Sequence, residues 1–201
     1  MINNIVFDLG GVLVDFKPQI LLKHLGFNEI ETTFYTNAIF YSEEWGKFNC
    51  SILDDKQVRE EIINKNKVYE ERINYIFDNL DYNYLLFERT KTSKFLESLK
   101  EKGYNIYLLS DLSKYSFEYN SSMSFFKNVT GGIYSFEVGT IKPDDNNYKR
   151  LLGDFNLVAD ETIFIDDHEE NVQKAEEFGI HGVVYTTLEE VEEKVNKLLE
   201  G

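Results

Sequence analysis

The chain has 201 residues, of which 42% are hydrophobic and 15% aromatic, enough to bury a substantial core and far from the composition of disorder. Its 21 basic against 36 acidic residues give a net charge of −15, which repels phosphate backbones and argues against nucleic-acid binding. An anionic substrate would therefore need a metal ion or local cations beside it. Cys50, the single cysteine, suits a reducing compartment; no signal-peptide pattern opens the chain and no apolar run approaches about 18 residues, so a cytoplasmic protein without membrane contact is expected.

In chain order, the apolar run Ile5-Val6-Phe7 ends on Asp8 and passes into Leu9-Gly10-Gly11-Val12. A buried strand thus delivers a carboxylate to a sheet edge, and the glycines after it let the backbone approach a ligand closely. Residues 17–87 carry no convincing strand pattern; apolar spacing predicts helices near 20–25, 30–40, 58–63 and 73–80. From about Lys91 the pattern alternates. A helix near 95–99, closed by Gly103, leads to a strand at 104–109 that ends on Ser110. A helix at 113–120, a short strand at 129–133 and the loop Thr140-Ile141-Lys142-Pro143-Asp144 follow. The spacing then predicts a helix over 145–152 and a strand over 162–165 that runs into Asp166-Asp167. A helix at 169–178, a strand at 181–185 and a last helix to Leu199 complete the chain.

Such alternation specifies an α/β fold, a Rossmann-like doubly wound parallel sheet with helices on both faces. The first strand belongs to that sheet. Residues 1–16 and 88–201 therefore form the core, and 17–87 an inserted all-helical cap. Ligands bind outside the carboxyl ends of such strands, where Asp8, Ser110 and Asp166-Asp167 all emerge.

Taken together and in this order, the four motifs resemble the haloacid dehalogenase superfamily of phosphatases. The branch is the one with a small helical cap after the first motif (subfamily IA), and the resemblance is greatest to its sugar-phosphatase-like group, whose first motif reads Asp-Leu-Gly. It covers essentially the full length. It implies a magnesium-dependent phosphomonoester hydrolase acting on a small phosphorylated metabolite, as a monomer or small homo-oligomer. Asp8 would be the nucleophile and form an aspartyl-phosphate. Asp8, the Gly10 carbonyl and Asp166 would hold Mg2+, with Asp167 and Asn171 acting through water or steadying their neighbours. Gly10, Gly11, Ser110, Asp111 and Lys142 would surround the phosphate, with Ser110 and Lys142 joining Asp8 as catalytic groups. From the insert, Trp45 could stack on a sugar ring or serve as cap core, and Lys47 could meet an anionic group. His24, His168 and His181 show no zinc-type spacing.

Two positions depart from the family pattern. Most relatives carry a second Asp where this chain has Gly10, and that residue protonates the leaving group; positioned acid–base groups are worth roughly 10² to 10⁴ in rate. The implied substrates have good leaving groups, such as an anomeric sugar phosphate or an acyl phosphate, unless Asp15 or Asp111 lends a proton. Asp15 reads rather as a hinge residue. Asp111 stands where relatives often have Asn; at about 4 Å and an effective dielectric near 20 it would repel a phosphate charge by roughly 4 kcal/mol. It points away, or is protonated, or weakens phosphate binding. The alternative function is a catalytically weakened member that binds a phosphorylated ligand or a protein. A phosphorelay receiver would order the acids in reverse, and a dehalogenase would not need Asp166-Asp167.

Overall fold

The computed structural model describes residues 1–200. The first part of the chain gives β1 (Asn4–Phe7), β2 (Val14–Phe16), α1 (Pro18–His24), α2 (Glu29–Tyr35), α3 (Glu43–Asn49), α4 (Asp55–Lys65), α5 (Glu70–Asp78) and β3 (Leu86–Glu88). The second gives α6 (Thr90–Glu101), β4 (Asn105–Ser110), α7 (Lys114–Asn120), β5 (Gly131–Tyr134), α8 (Ser135–Val138) and α9 (Asp145–Asp154). It closes with β6 (Thr162–Asp166), α10 (Glu169–Glu177), β7 (His181–Val184) and α11 (Leu188–Glu200).

Five strands form one parallel sheet in the order β5-β4-β1-β6-β7. Neighbouring residues on a strand point to opposite faces, and here both faces are dry. Ile5, Phe7, Ile106, Leu108, Ile163 and Ile165 belong to one apolar cluster with Leu96 and Leu99 of α6 and Val191 and Val195 of α11. Val6, Tyr107, Leu109 and Phe164 belong to the other, with Tyr148 and Leu151 of α9 and Ala175 of α10. Helices therefore cover both faces, as the alternating sequence predicts. The first cluster runs on into Leu21, Ile39, Ile62 and Ile76 of the helical stretch between β2 and β3. Local signals start those helices: Pro18 opens α1, and capping boxes open α2 (Asn28 with Glu31) and α4 (Asp54 with Gln57).

The stretch 17–87 is not wholly helical, contrary to the sequence reading. β2 and β3 pair antiparallel, with Val14 opposite Glu88 and Phe16 opposite Leu86. Three-residue strands are too short for alternation to show, and their partners lie far apart in sequence. The helix expected over 30–40 ends at Tyr35 and continues as a π-helical turn, Thr36–Phe40. The seven-residue α3, started by Ser42 as its N-cap, went unforeseen. Among the described residues no helix is long and apolar enough to cross a membrane.

Candidate active site

β1, β4 and β6 are neighbours, so their carboxyl ends bring Asp8, Ser110 and Asp166 to one edge. Asp8 is held by its main chain, whose N–H donates to Ile165 O at 2.9 Å, and by Leu9 N–H, which donates to its Oδ1 at 2.7 Å. The chain then turns tightly, with Leu13 and Val14 N–H both donating to Leu9 O. Gly11 sits in this turn at φ +69°, and a Cβ there would fall 2.2 Å from Asp167 Oδ2. Only glycine tolerates both the left-handed backbone and that approach.

Lys142 is the site's buried cation. Its Nζ lies 3.0 Å from Asp8 Oδ1 and donates to Asp166 Oδ2 at 2.6 Å and to Leu109 O at 3.1 Å. Asp166 has no exposed surface and also accepts from Asn171 Nδ2 (3.1 and 3.0 Å) and His168 N–H (2.8 Å). Asn171 thus steadies Asp166. Asp111 accepts the Lys142 main-chain N–H on both oxygens, at 3.1 and 3.2 Å, so its carboxylate is turned toward the Lys142 loop.

Oxygens of Asp8, Asp166 and Asp167 lie within 4.8 Å of one another. Asp8 is pushed up to about 7: burial is the largest cause and Asp166 and Asp111 add to it, while Lys142 pulls the other way. Burial also raises Asp111 and Asp167. Burial alone would lower Lys142, but Asp8, Asp166 and Asp111 outweigh it and hold the ammonium charged. One lysine does not balance these carboxylates, and a hard, all-oxygen donor set with surplus negative charge suits a magnesium ion.

Gly10, Ser110 and Asp111 line a cavity of 180 Å³ between this edge and the helical stretch. Trp45 lines it too, yet is 5% exposed and packs edge-on against Phe40 at 5.0 Å and tilted against Phe48 at 5.3 Å. Lys47 does not line it; its Nζ pairs with Glu43 at 2.8 Å on the outer face of α3. Asp15 sits in β2 with both oxygens engaged, one by Arg89 and one by Lys17. Burial would raise its pKa, but those two cations pull it below the ordinary value. Asp15 is therefore held ionised and is not a lendable acid. Of the three histidines, His24 stacks on Tyr84 at 3.8 Å and His181 contacts Asp160 O at 3.0 Å, away from the site, whereas His168 Nε2 lies 3.9 Å from Asp167 Oδ1.

Two residues near the site carried no sequence signal. Arg89 donates to the Gly11 carbonyl, and its guanidinium stands 5.5 Å from the Tyr185 ring centroid. Asn120, at the end of α7, lines the cavity, and its Oδ1 is buried without a partner. Nothing local marks either; only the tertiary fold brings them in.

A family model described as haloacid dehalogenase-like hydrolase matches residues 2–179. The chain is 26% identical over 186 residues to the sesquiterpene phosphatase astK of Aspergillus oryzae, covering 90% of this chain and 88% of the relative. It is 26% identical over 196 residues to a D-ribitol-5-phosphate phosphatase of Bacteroides thetaiotaomicron, covering 89% of each. A haloacid dehalogenase family enzyme of the same bacterium, solved with magnesium and inorganic phosphate, superposes with a TM-score of 0.65 at 26% identity, covering 92% of this chain and 94% of the other.

Proposed function

Because the chain belongs to the haloacid dehalogenase-like hydrolases, we propose that it hydrolyses the phosphomonoester of a small metabolite through an aspartyl-phosphate on Asp8. The observation that carries this reading is the triad of Asp8, Asp166 and Asp167 within 4.8 Å, joined to a buried lysine 3.0 Å from Asp8. The relatives named for a sesquiterpene and for D-ribitol 5-phosphate support phosphate-ester chemistry.

In this reading Asp8, Asp166 and Asp167, with the Gly10 carbonyl, would hold the metal. Bound there, magnesium would supply a positive field that lets an anionic phosphate approach an anionic nucleophile. An Asp8 oxygen forms a bond to phosphorus as the bond to the ester oxygen breaks, and the leaving alkoxide takes a proton from solvent water. Water then attacks the same phosphorus, releasing inorganic phosphate and restoring the Asp8 carboxylate. Lys142 favours the ionised form of Asp8 and orients it. Ser110, buried at the end of β4, holds a phosphate oxygen, and Asp111 sets the loop that carries Lys142. Gly10 brings no acid and Asp15 is tied up, so leaving groups that need little protonation, such as an anomeric sugar, react best. Helices α1 to α5 act as the cap.

Phosphate release from p-nitrophenyl phosphate, a sugar 1-phosphate and the matching 6-phosphate, with and without magnesium, tests the reading. Metal-dependent turnover that Asp8→Asn lowers by at least about 10³-fold is the expected result. Turnover that survives in Asp8→Asn would refute the nucleophile.

A further inference from the structure

Gly10 and Gly11 let the backbone come close to a ligand, but two successive glycines are also the softest link in the turn after Asp8. A carbonyl that is to meet a metal ion there has to be held in one orientation. The Gly10 carbonyl shares a peptide plane with the Gly11 N–H, which donates to Val14 O at 2.9 Å. The next plane is held at both ends. Val12 N–H donates to Leu9 O at 3.2 Å, and the Gly11 carbonyl accepts from Arg89 Nη1. Gly11 itself lies against Asp167, whose Oδ2 is 2.2 Å from where a Cβ would stand.

Arg89 is fixed from three sides. Its Nε donates to Asp15 Oδ1 at 2.6 Å, and its main-chain N–H donates to Leu13 O at 2.8 Å. Its guanidinium stands 5.5 Å from the centre of the Tyr185 ring. Tyr185 is anchored in turn: its hydroxyl bonds to Thr92 Oγ1 at 2.8 Å, and its main-chain N–H donates to the Asp166 carbonyl, also at 2.8 Å. One guanidinium thus joins the turn that carries Gly10 to the strand end that carries Asp166 and Asp167. Arg89 does not line the cavity at the sheet edge, so it acts through these groups rather than on a substrate.

We propose that Arg89 is a positioning residue for the metal site. Through its bond to the Gly11 carbonyl, with Tyr185 behind it, Arg89 fixes the Gly10–Gly11 turn against Asp167 and so sets the affinity for a divalent cation. The assignment rests on the reading above, in which Asp8, the Gly10 carbonyl, Asp166 and Asp167 would hold magnesium. Groups that orient metal ligands from outside the coordination shell carry roughly 10- to 100-fold of affinity. The task needs a planar fork, since Nε and Nη1 serve two acceptors while the face stacks on an aromatic ring; a lysine ammonium has neither the fork nor the face.

The test measures magnesium binding to the metal-free protein by calorimetry, with thermal unfolding alongside, for the native chain, Arg89→Lys, Arg89→Gln and Asp15→Asn. Both Arg89 variants are expected to raise the magnesium Kd about tenfold. Asp15→Asn loses its charge pairing with Arg89 and Lys17 but keeps an oxygen that accepts from Nε, so its Kd is expected to rise less than about threefold although its Tm falls. Turnover of p-nitrophenyl phosphate lost in Arg89→Lys at limiting magnesium is expected to return when more is added. A Kd unchanged in both Arg89 variants, or raised as much in Asp15→Asn as in Arg89→Lys, would overturn the assignment and leave Arg89 a purely structural tie. The expected Kd shifts in a protein that releases no phosphate would uphold the assignment and overturn the phosphatase reading. No magnesium binding by the native protein would overturn both.

Discussion

Arg89 and Asp15 meet across the two short strands by which the chain leaves the sheet and returns, Arg89 Nε donating to Asp15 Oδ1 at 2.6 Å. The same guanidinium donates to the Gly11 carbonyl, one residue beyond the Gly10 carbonyl proposed as a metal ligand. One side chain thereby ties the turn after Asp8 to both strands of the ribbon. Both partners are partly exposed, at 33% and 24%, so solvent screens the pair.

Arg89→Ala is expected to cost about 1 kcal/mol, or a Tm lower by about 2–4 °C in a chain of this size. The effect has a sign in pH. Asp15 sits below its ordinary value of 3.8, so its ionised form stabilises the fold above that pH, and the contribution fades as pH falls through the lowered value. Melting wild type and Asp15→Asn from pH 3 to 7 should show a gap that is widest at pH 7 and narrows toward the acid end. A constant gap would mean that Asp15 acts by packing rather than charge.

Lys142 lies 2% exposed between two carboxylates. Removing one partner of a buried ion pair leaves uncompensated charge, so Lys142→Met should cost about 3–5 kcal/mol by urea unfolding without divalent ions. The cost should shrink in an Asp8→Asn background, because one orphaned carboxylate is gone. Equal costs in both backgrounds would argue that the lysine stem, not its charge, matters.

The sequence made the sheet legible because β1, β4 and β6 are apolar runs ending in Asp8, Ser110 and Asp166, and parallel topology puts such ends at one edge. The order of motifs carried the family for the same reason. The ribbon was illegible, since Val14 meets Glu88 only after the whole helical stretch has folded between them. Arg89 and Asn120 stayed hidden because their roles come from neighbours distant in sequence. Trp45 was visible as an aromatic in the insert, but only the packing of Phe40 and Phe48 around it shows how little of its ring is free.

Magnesium should stabilise the protein, by about 2.7 kcal/mol at a hundred times its Kd, which is about 5–10 °C in Tm. Gly11→Ala probes the geometry behind this. Its φ of +69° costs a side chain about 1–2 kcal/mol. The new Cβ would also press on Asp167, 2.2 Å from its Oδ2. The variant is therefore expected to melt lower without metal and to need about tenfold more magnesium for the same thermal shift. A lower Tm with an unchanged magnesium midpoint would remove Asp167 from the metal's surroundings.

Gly10 is where chemistry can be added rather than removed. It is exposed, its φ is not positive, and a Cβ built on it meets nothing within 4 Å. Gly10→Asp should therefore fold as the native chain does and bring a carboxyl beside the cavity that the Gly10 backbone lines. If the native enzyme lacks an acid to protonate poor leaving groups, the gain must depend on the ester. Alkyl phosphates should speed up by about 10²-fold, while p-nitrophenyl phosphate, whose phenolate leaves without help, should change little. Equal acceleration of both would point to improved metal or phosphate binding instead. No acceleration of either would mean that a residue already present, with Asp111 the nearest carboxyl of the cavity, supplies the proton.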